Sequence, residues 1–430
     1  MRLIHSPGML TGLFHSVYIN TVEAFPAAKY NKGVCSFVKK EGSFMEKIWK
    51  NKTKFTVFLG AVFLVVFLGI LILLNQGIHR PPLRPTGGAQ FAKAVVEKVV
   101  SDNTSEGDHV EMQGNQVVRI RITSGKYKGE SCEAQSPYAN HSGAKCFPGL
   151  RVIILVNENS EGTLTASVYN YDRGNILWIL IALFLGVLCL VGGKKGVTSA
   201  AGLIFTFVCI LFLYLPLMYI GVSPFGAATL TAVLVTVVVM FLIGGWSYKT
   251  LCSILGTIAG VLISGVIAAV FGHFSHISGL NVSDVETLAY IAQNSRLDVS
   301  GVLFSGILIA SLGAVMDVSM SVASTIAEIR ANSPDLGKGE LFRSGINVGR
   351  DMMGTMSNTL ILAFAGSSIN TLIMIYSYSM PYLEYMNGYE IGIELLRGIS
   401  GSLGVILTVP FVSFISAMLM TGGRRVPVKK

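Results

Sequence analysis

Charge is scarce in this chain: Asp, Glu, Lys and Arg together make up 13% of 430 residues, against 51% apolar ones. A soluble domain of that length carries roughly a quarter charged residues, so a soluble globular class is excluded. Catalytic sets are also missing. No His-rich cluster, paired carboxylates or Ser and Lys set falls at one depth of the apolar segments, which argues against an enzyme. No nucleotide-binding motif or phosphate-cradling glycine loop is found, so the chain is not by itself a primary pump, and neither a cofactor nor a metal is expected. The net charge of +9 could suggest nucleic acid. The basic residues instead flank apolar runs, the pattern that encodes membrane orientation, and no nucleic-acid partner is expected.

What is present is a series of runs near 20 residues, the length that crosses a hydrocarbon core of about 30 Å. Eight are predicted, at 55–74, 175–192, 197–219, 226–244, 250–271, 301–323, 352–376 and 399–420. The fold class is therefore a mainly α-helical membrane protein in the lipid bilayer. Lys39, Lys40, Lys47, Lys50, Lys52 and Lys54 precede the first run. Further clusters are Lys194 with Lys195, Lys249, then Arg330, Lys338, Arg343 and Arg350, and finally Arg424, Arg425, Lys429 and Lys430. With alternating spans all of these fall on one side, while the opposite short loops hold only Arg296 and Arg397. Both termini are expected in the cytoplasm, with the spans in the cell membrane.

The first run follows a basic stretch as a secretory signal would, but Asn75, Gln76, Gly77, Ile78 and His79 offer no small-x-small cleavage site. An uncleaved anchor at 55–74 is expected. Residues 1–54 form a basic segment before it, within which 1–44 lack sustained periodicity and read as a disordered tail or an over-long start. Residues 421–430 form a basic tail.

Residues 79–174 form one exterior domain. After a proline-rich stalk come the alternating runs AKAVVEKVV, QVVRIRIT, RVIILVN and TLTASVYN, separated by Gly, Asn, Asp and Ser. They predict a small β barrel or sandwich, with an OB-like barrel among the candidates. Cys132 and Cys146 lie here, and a disulfide or two unpaired thiols are both open. With 11 Lys and Arg against 10 Asp and Glu the domain has no single-sign field. It reads as a packing or interaction module, with ligand binding as the alternative.

The most informative residues sit in the block 175–420. Asp317 is the acidic residue well inside an apolar run, where a lipid-facing carboxylate costs roughly 2.5 to 3.5 kcal/mol. Asp317, Ser321, Ser324 and Glu328 stand at helical spacing, continued upward by Gly313, so they share one face. Asn347, Asp351, Gly354 or Thr355, and Asn358 repeat that spacing on the next helix. Antiparallel packing would set Asp317 and Asn358 at one depth, about 9 Å inside the edge, with Asn358 as a donor to the carboxylate. Asp317, Asn358, Ser321, Ser324 and Thr355 are the candidates for ion coupling or a solute path. Asn347, Asp351, Arg350 and Glu328 read as interfacial. Weaker features are His273 and His276 with Asp284 and Glu286, read as an ordinary interfacial loop. The glycine pairs 256/260 and 345/349 suit close helix approach, and the tyrosine-rich loop 376–389 reads as an interfacial belt.

The segments GAVMDVSMSVASTIAEI and SGINVGRDMMGTMSNTLILAFAG closely resemble the hallmark region of the YibE/F-like family of multi-pass bacterial membrane proteins. The plan of anchor, small exterior domain and seven further spans is similar as well, and the resemblance implies a transporter-like membrane protein without naming a substrate. The order of glycine, Asp317, Glu328, Arg330, short loop and return helix is also similar to helices four and five of resistance-nodulation-division transporters and the SecD/SecF proteins. That likeness implies a proton-coupling role for Asp317, although two additional spans precede it here and no intramembrane lysine accompanies it. The expected function is a secondary transporter or permease of a small solute or ion. The alternative is an assembly factor or scaffold whose polar stripes serve packing. Homo- or hetero-oligomerisation with a related membrane protein is left open.

Overall fold

The computed structural model describes residues 60, 62–78, 89–106, 112–138, 143–158, 163–282 and 285–422. The basic segment 1–54, the beginning of the anchor, the stalk, Asp284 and the tail from 423 lie outside the described residues. The chain divides into two compact units, residues 1–73 and 74–430. The first contributes most of an apolar helix, α1 (Val62–Gln76), which falls short of a full bilayer crossing over its described length.

The second unit opens with a closed five-stranded barrel. Its strands are β1 (Gln90–Asp102), β4 (Asn115–Ile122), β5 (Ser131–Pro137), β6 (Arg151–Glu158) and β7 (Leu164–Tyr171), closing in the order β1-β4-β5-β7-β6. A two-strand ribbon, β2 (Ser105–Glu106) and β3 (Met112–Gln113), decorates the β1–β4 connection. Alternation builds the core: Ala94 and Val96 on β1, Val118 and Ile120 on β4, and Val152, Ile154 and Val156 on β6 all point inward. β1 borders both β4 and β6, and irregularities at Val96/Lys98 and Val99/Ser101 bend its 13 residues around the barrel. Four of the five barrel strands coincide with the predicted runs. β5 (SCEAQSP) does not, because its inward residues Cys132, Ala134 and Ser136 are small or polar and carry no hydrophobic signal. It joins β7 in parallel through only Ala134↔Ala166 and Gln135↔Ser167.

Gln116 is buried in this barrel and fully occupied. Its amide donates to Asp102 Oδ2 (2.8 Å), and its carbonyl accepts from the Cys146 backbone (2.7 Å). Cys132 and Cys146 are both free thiols, half-buried and buried respectively, so the unpaired alternative describes them. The Cys146 thiol lies 3.5 Å from Ser136 Oγ and 3.4 Å from the Ala144 carbonyl.

The helices follow two residues after β7. α2 (Gly174–Cys209) is broken at Gly193, whose φ of 54° and ψ of −132° are glycine-only territory. The chain bends sharply there. A Cβ on Gly196 would run into the carbonyl of Leu188, whereas eight residues of continuous helix would separate the two by about 12 Å. The second arm continues through a π turn (Ile210–Tyr214) into α3 (Leu215–Tyr219), and Tyr214 Oη meets Ser305 Oγ at 2.6 Å. Then come α4 (Pro224–Gly244), α5 (Tyr248–Phe274), α6 (Val285–Gln293), α7 (Val302–Asn332) and α8 (Lys338–Ser367). α9 (Ile369–Ser377), α10 (Tyr382–Met386) and α11 (Tyr389–Gly422) complete the chain.

Among the described residues five helices are long and apolar enough to cross a membrane, or six if α8 and α9, bent by 67°, count as one broken span. The helices overrun the predicted spans. α8 begins 14 residues before 352 because Leu341, Gly345 and Gly349 pack against neighbouring helices, which holds a polar stretch helical.

α5, α7 and α11 meet in a tight seam. Gly256 faces Val412, Gly260 faces Thr408 and Val315, and Gly404 faces Ser264, in each case too close for a side chain. α8 lies along α11 in the same manner, with Gly345 against Ser413 and Gly349 against Val409. Both glycine pairs read from the sequence thus mark close helix contacts.

Candidate functional site

The seam leaves one side of α7 and α8 uncovered. On α7 the buried positions include Leu308, Ser311, Leu312, Val315, Val318, Ser319, Val322 and Ile326. Up to Glu328 the exposed ones are Gly306, Ala310, Gly313, Asp317 and Glu328 itself, with Ser321 and Ser324 half-buried between them. These four polar residues stand at helical spacing on the side of α7 that points away from the seam. On α8, Arg343, Asn347, Arg350, Asp351, Gly354, Thr355 and Asn358 are likewise exposed.

The two faces are set in register where α7 and α8 approach near their connecting loop. There the terminal methyl of Ile326 fills the space beside Gly345. Counting nine residues up each helix from that contact brings Asp317 level with Gly354, beside Thr355 and about 13 Å away from the contact. Asn358 stands one turn further up. Among the described residues no hydrogen bond joins Asp317 to Asn358, so the expected donor does not reach the carboxylate. Asp317, Arg343, Arg350 and Asp351 have no ion pair there either.

Polarity near the loop is partly internal to each helix. Asn332 donates to Glu328 (3.4 Å), while Arg330 donates to the carbonyls of Pro334 and Leu336 and closes the turn after α7. The Thr355 hydroxyl bonds the Met352 carbonyl (3.0 Å), which leaves its oxygen free to accept from outside. The arrangement offers a carboxylate, hydroxyls and amides at successive heights on an open surface. The exposed positions of the first arm of α2 carry Leu177, Trp178, Leu190 and Val191 instead, the chemistry expected where lipid is the neighbour.

A second polar set was not visible in the sequence. Thr250, Ser253, Thr257 and Ser264 line one fully buried face of α5, opposite Thr408, Ser413 and Ser416 on α11 and Ser319 on α7. Ser253 bonds the carbonyls of Lys249 (2.8 Å) and Ser319 (3.3 Å), and Thr408 bonds that of Gly404 (2.6 Å). Short hydroxyls inside apolar runs barely alter hydropathy, and their recurrence every three or four residues was the available signal. Close backbone contact surrounds them, so they serve packing.

Elsewhere, His273 and His276 are exposed and, among the described residues, no group of three metal-ligating side chains forms. Tyr376, Tyr378, Tyr382 and Tyr389 are exposed from the end of α9 to the start of α11, as a belt would be. The barrel carries an open depression of about 570 Å³ on its outer face, lined by Val117, Glu133, Gln135, Leu155, Asn157, Thr165 and Ser167 among others. It lies where β5 and β7 are joined most thinly.

Long apolar helices bearing polar faces, led by a small β barrel, define a membrane protein. The chain belongs to the family described as YibE/F-like protein, which residues 180–422, more than half of its length, match. No curated protein and no solved structure matches the chain.

Proposed function

We propose that this protein is a secondary transporter or permease of the bacterial cytoplasmic membrane, and that the open face of α7 and α8 lines the path of a small solute or ion. The observation that supports this is the exposed Asp317, which has no partner among the described residues and stands in a helix long and apolar enough to cross a membrane. A carboxylate in such a place faces water, a proton or a cation rather than hydrocarbon. In this reading Asp317 gains and loses a proton, or binds a cation, as the helices rock. Ser321, Ser324, Thr355 and Asn358 supply hydroxyl and amide groups along the way.

The span count belongs to the same proposal. With the break at Gly193 the second arm of α2 returns across the bilayer, and the bent α8–α9 pair makes one interrupted crossing, the kind of discontinuity that lines cavities in transporters. Counting α1 as the anchor then gives eight spans, both termini cytoplasmic and the barrel outside. The barrel's closing order and its parallel β5–β7 pair agree with an OB-like fold.

Cysteine accessibility tests the path. Ser321→Cys and Asn358→Cys are each treated in native membranes with a membrane-impermeant thiol reagent, and Val187→Cys, on the apolar surface of α2, serves as the control. Both path positions are expected to react while the control does not. Protection of both positions, equal to the control, would turn the reading towards a scaffold whose stripes only pack.

A further inference from the structure

The polar face of α7 and α8 has no cover within the described chain, and hydrocarbon is a poor one. Asp317, Asn347, Asp351, Thr355 and Asn358 are exposed, as the leucines of α2 are, yet offer acids, amides and hydroxyls. We propose that the same face of a second copy of this chain covers it, so that the path lies between two subunits; this rests on the reading of that face as a path.

The case for a second copy is self-complementarity. The Ile326–Gly345 contact fixes the heights: Glu328 is level with Arg343, Ser324 with Asn347, Ser321 with Arg350, Asp317 with Gly354 beside Thr355, and Gly313 with Asn358. α7 brings Asp317, Glu328 and two serines, and α8 brings the guanidinium and amide donors together with Thr355 and one acid, Asp351. Within one copy these groups are not joined: among the described residues Arg343 and Arg350 have no carboxylate partner. A two-fold axis along the membrane normal preserves every height and packs α7 of one copy on α8 of the other, twice over. Glu328 of one copy then meets Arg343 of the other as acid against base, while Ser324, Ser321 and Asp317 meet Asn347, Arg350 and Thr355 as hydrogen-bonding pairs.

Shape agrees with chemistry. A Cβ built on Gly306, Gly313 or Gly354 meets nothing within 4 Å, so the outer surface of both helices has room for a backbone to come close. The glycines of the seam, by contrast, are already occupied by Val412, Thr408, Ser413 and Val409. A closely packed second copy would leave a narrow polar seam around Asp317 and Thr355.

Two differently tagged chains are expressed together, one with Gly313→Cys and the other with Asn358→Cys, and oxidised in native membranes. A disulfide-linked species carrying both tags is expected, and the pairing of Val187→Cys with Asn358→Cys should give none. The unmutated protein in mild detergent should have the protein mass of two 46.1 kDa chains by light scattering. A one-chain mass together with absent cross-linking overturns the proposal, and so does cross-linking only to a different protein. The two readings fail separately. A two-chain mass with Ser321→Cys inert to aqueous reagent leaves the dimer and removes the path, whereas a reactive Ser321→Cys on a one-chain particle leaves the path and removes the dimer.

Discussion

Ile326 on α7 occupies the space that a side chain at Gly345 on α8 would need, its terminal carbon only 2.6 Å from where that Cβ would sit. The Ser413 hydroxyl, on α11, closes the other side at 2.5 Å. This three-helix contact fixes the relative height of the polar residues on α7 and α8. It is also the point at which polar α8 is held in place.

Gly345→Val should therefore destabilise the membrane domain, by about 1 to 3 kcal/mol for overpacking a close contact. Gly313→Val, with nothing within 4 Å of its Cβ, should leave the unfolding of a single subunit unchanged. Reversible unfolding in mixed micelles, followed by circular dichroism, compares the two. Equal losses would mean that α7 and α8 do not meet as described.

Gly193 makes a second backbone prediction. Its φ of 54° with ψ near −132° is strained for any residue with a Cβ, and strain of this kind costs on the order of 1 to 3 kcal/mol. Gly193→Ala should loosen the bend between the two arms of α2, and trypsin should cut at Lys194 and Lys195 faster than in the parent. Gly192→Ala, one residue earlier and inside the helix, is the matched control.

The helices and most of the barrel were legible because burial there follows simple periods: alternation in β4 and β6, long apolar runs in α4 and α5. The polar faces were legible as faces, since Asp317, Ser321, Ser324 and Glu328 repeat at helical spacing. Their outward direction was not, because periodicity says which residues share a side of a helix but not which neighbour that side meets. That choice is made by glycines such as Gly260 and Gly349, whose contacts draw α5 and α8 onto α11. The extent of α8 was hidden for the same reason, as tertiary contact held a polar segment helical against its hydropathy. The expected Asp317–Asn358 bond failed because equal distance from two apolar boundaries is a weaker guide to height than one packed pair.

In the barrel, Gln116 links β4 to the segment before β6 through the Cys146 amide, and it also donates to Asp102. Gln116→Leu leaves that buried amide unsatisfied, a loss of about 1 to 3 kcal/mol. Hydrogen exchange over residues 143–150 should speed up. Hydrogen bonds from Thr104, first its hydroxyl and then its backbone, and then from Gln116, hold the Asp102 carboxyl below its ordinary range. A lowered folded-state value stabilises the fold above the unfolded carboxyl value of about 3.9, and that contribution is lost as pH falls through the folded value. The acid sensitivity attributable to this group thus lies below about pH 4, and Gln116→Leu should reduce it. An identical exchange profile in the variant at neutral pH would rule out the linking role.

Burial pushes the thiols of Cys132 and Cys146 above the usual range, with the nearby Glu130 carboxylate adding to the effect for Cys132. Both should alkylate slowly at neutral pH and faster as pH rises, because the thiolate is the reactive form. Reductant should change neither the barrel's exchange profile nor its mobility on a gel. A peptide containing Cys132 joined to one containing Cys146, recovered from membranes under non-reducing conditions, would contradict the free thiols seen here.

Asp317 separates packing from passage by the sign of a stability change. If its carboxylate were interhelical glue, removing it would cost roughly 0.6 kcal/mol and seldom as much as 2. In the described chain it holds nothing, so Asp317→Leu should leave subunit stability in micelles unchanged or raised, an unpaired carboxylate giving way to an apolar side chain on an exposed face. Asp317→Asn, which keeps the shape, should do the same while ending proton movement across liposomes that contain the protein, followed with an internal pH dye under an imposed potassium potential. The two readouts must part company: stability retained, coupling lost. A clear loss of stability in both variants would instead place Asp317 among the packing residues, beside Ser253 and Thr408 in the seam.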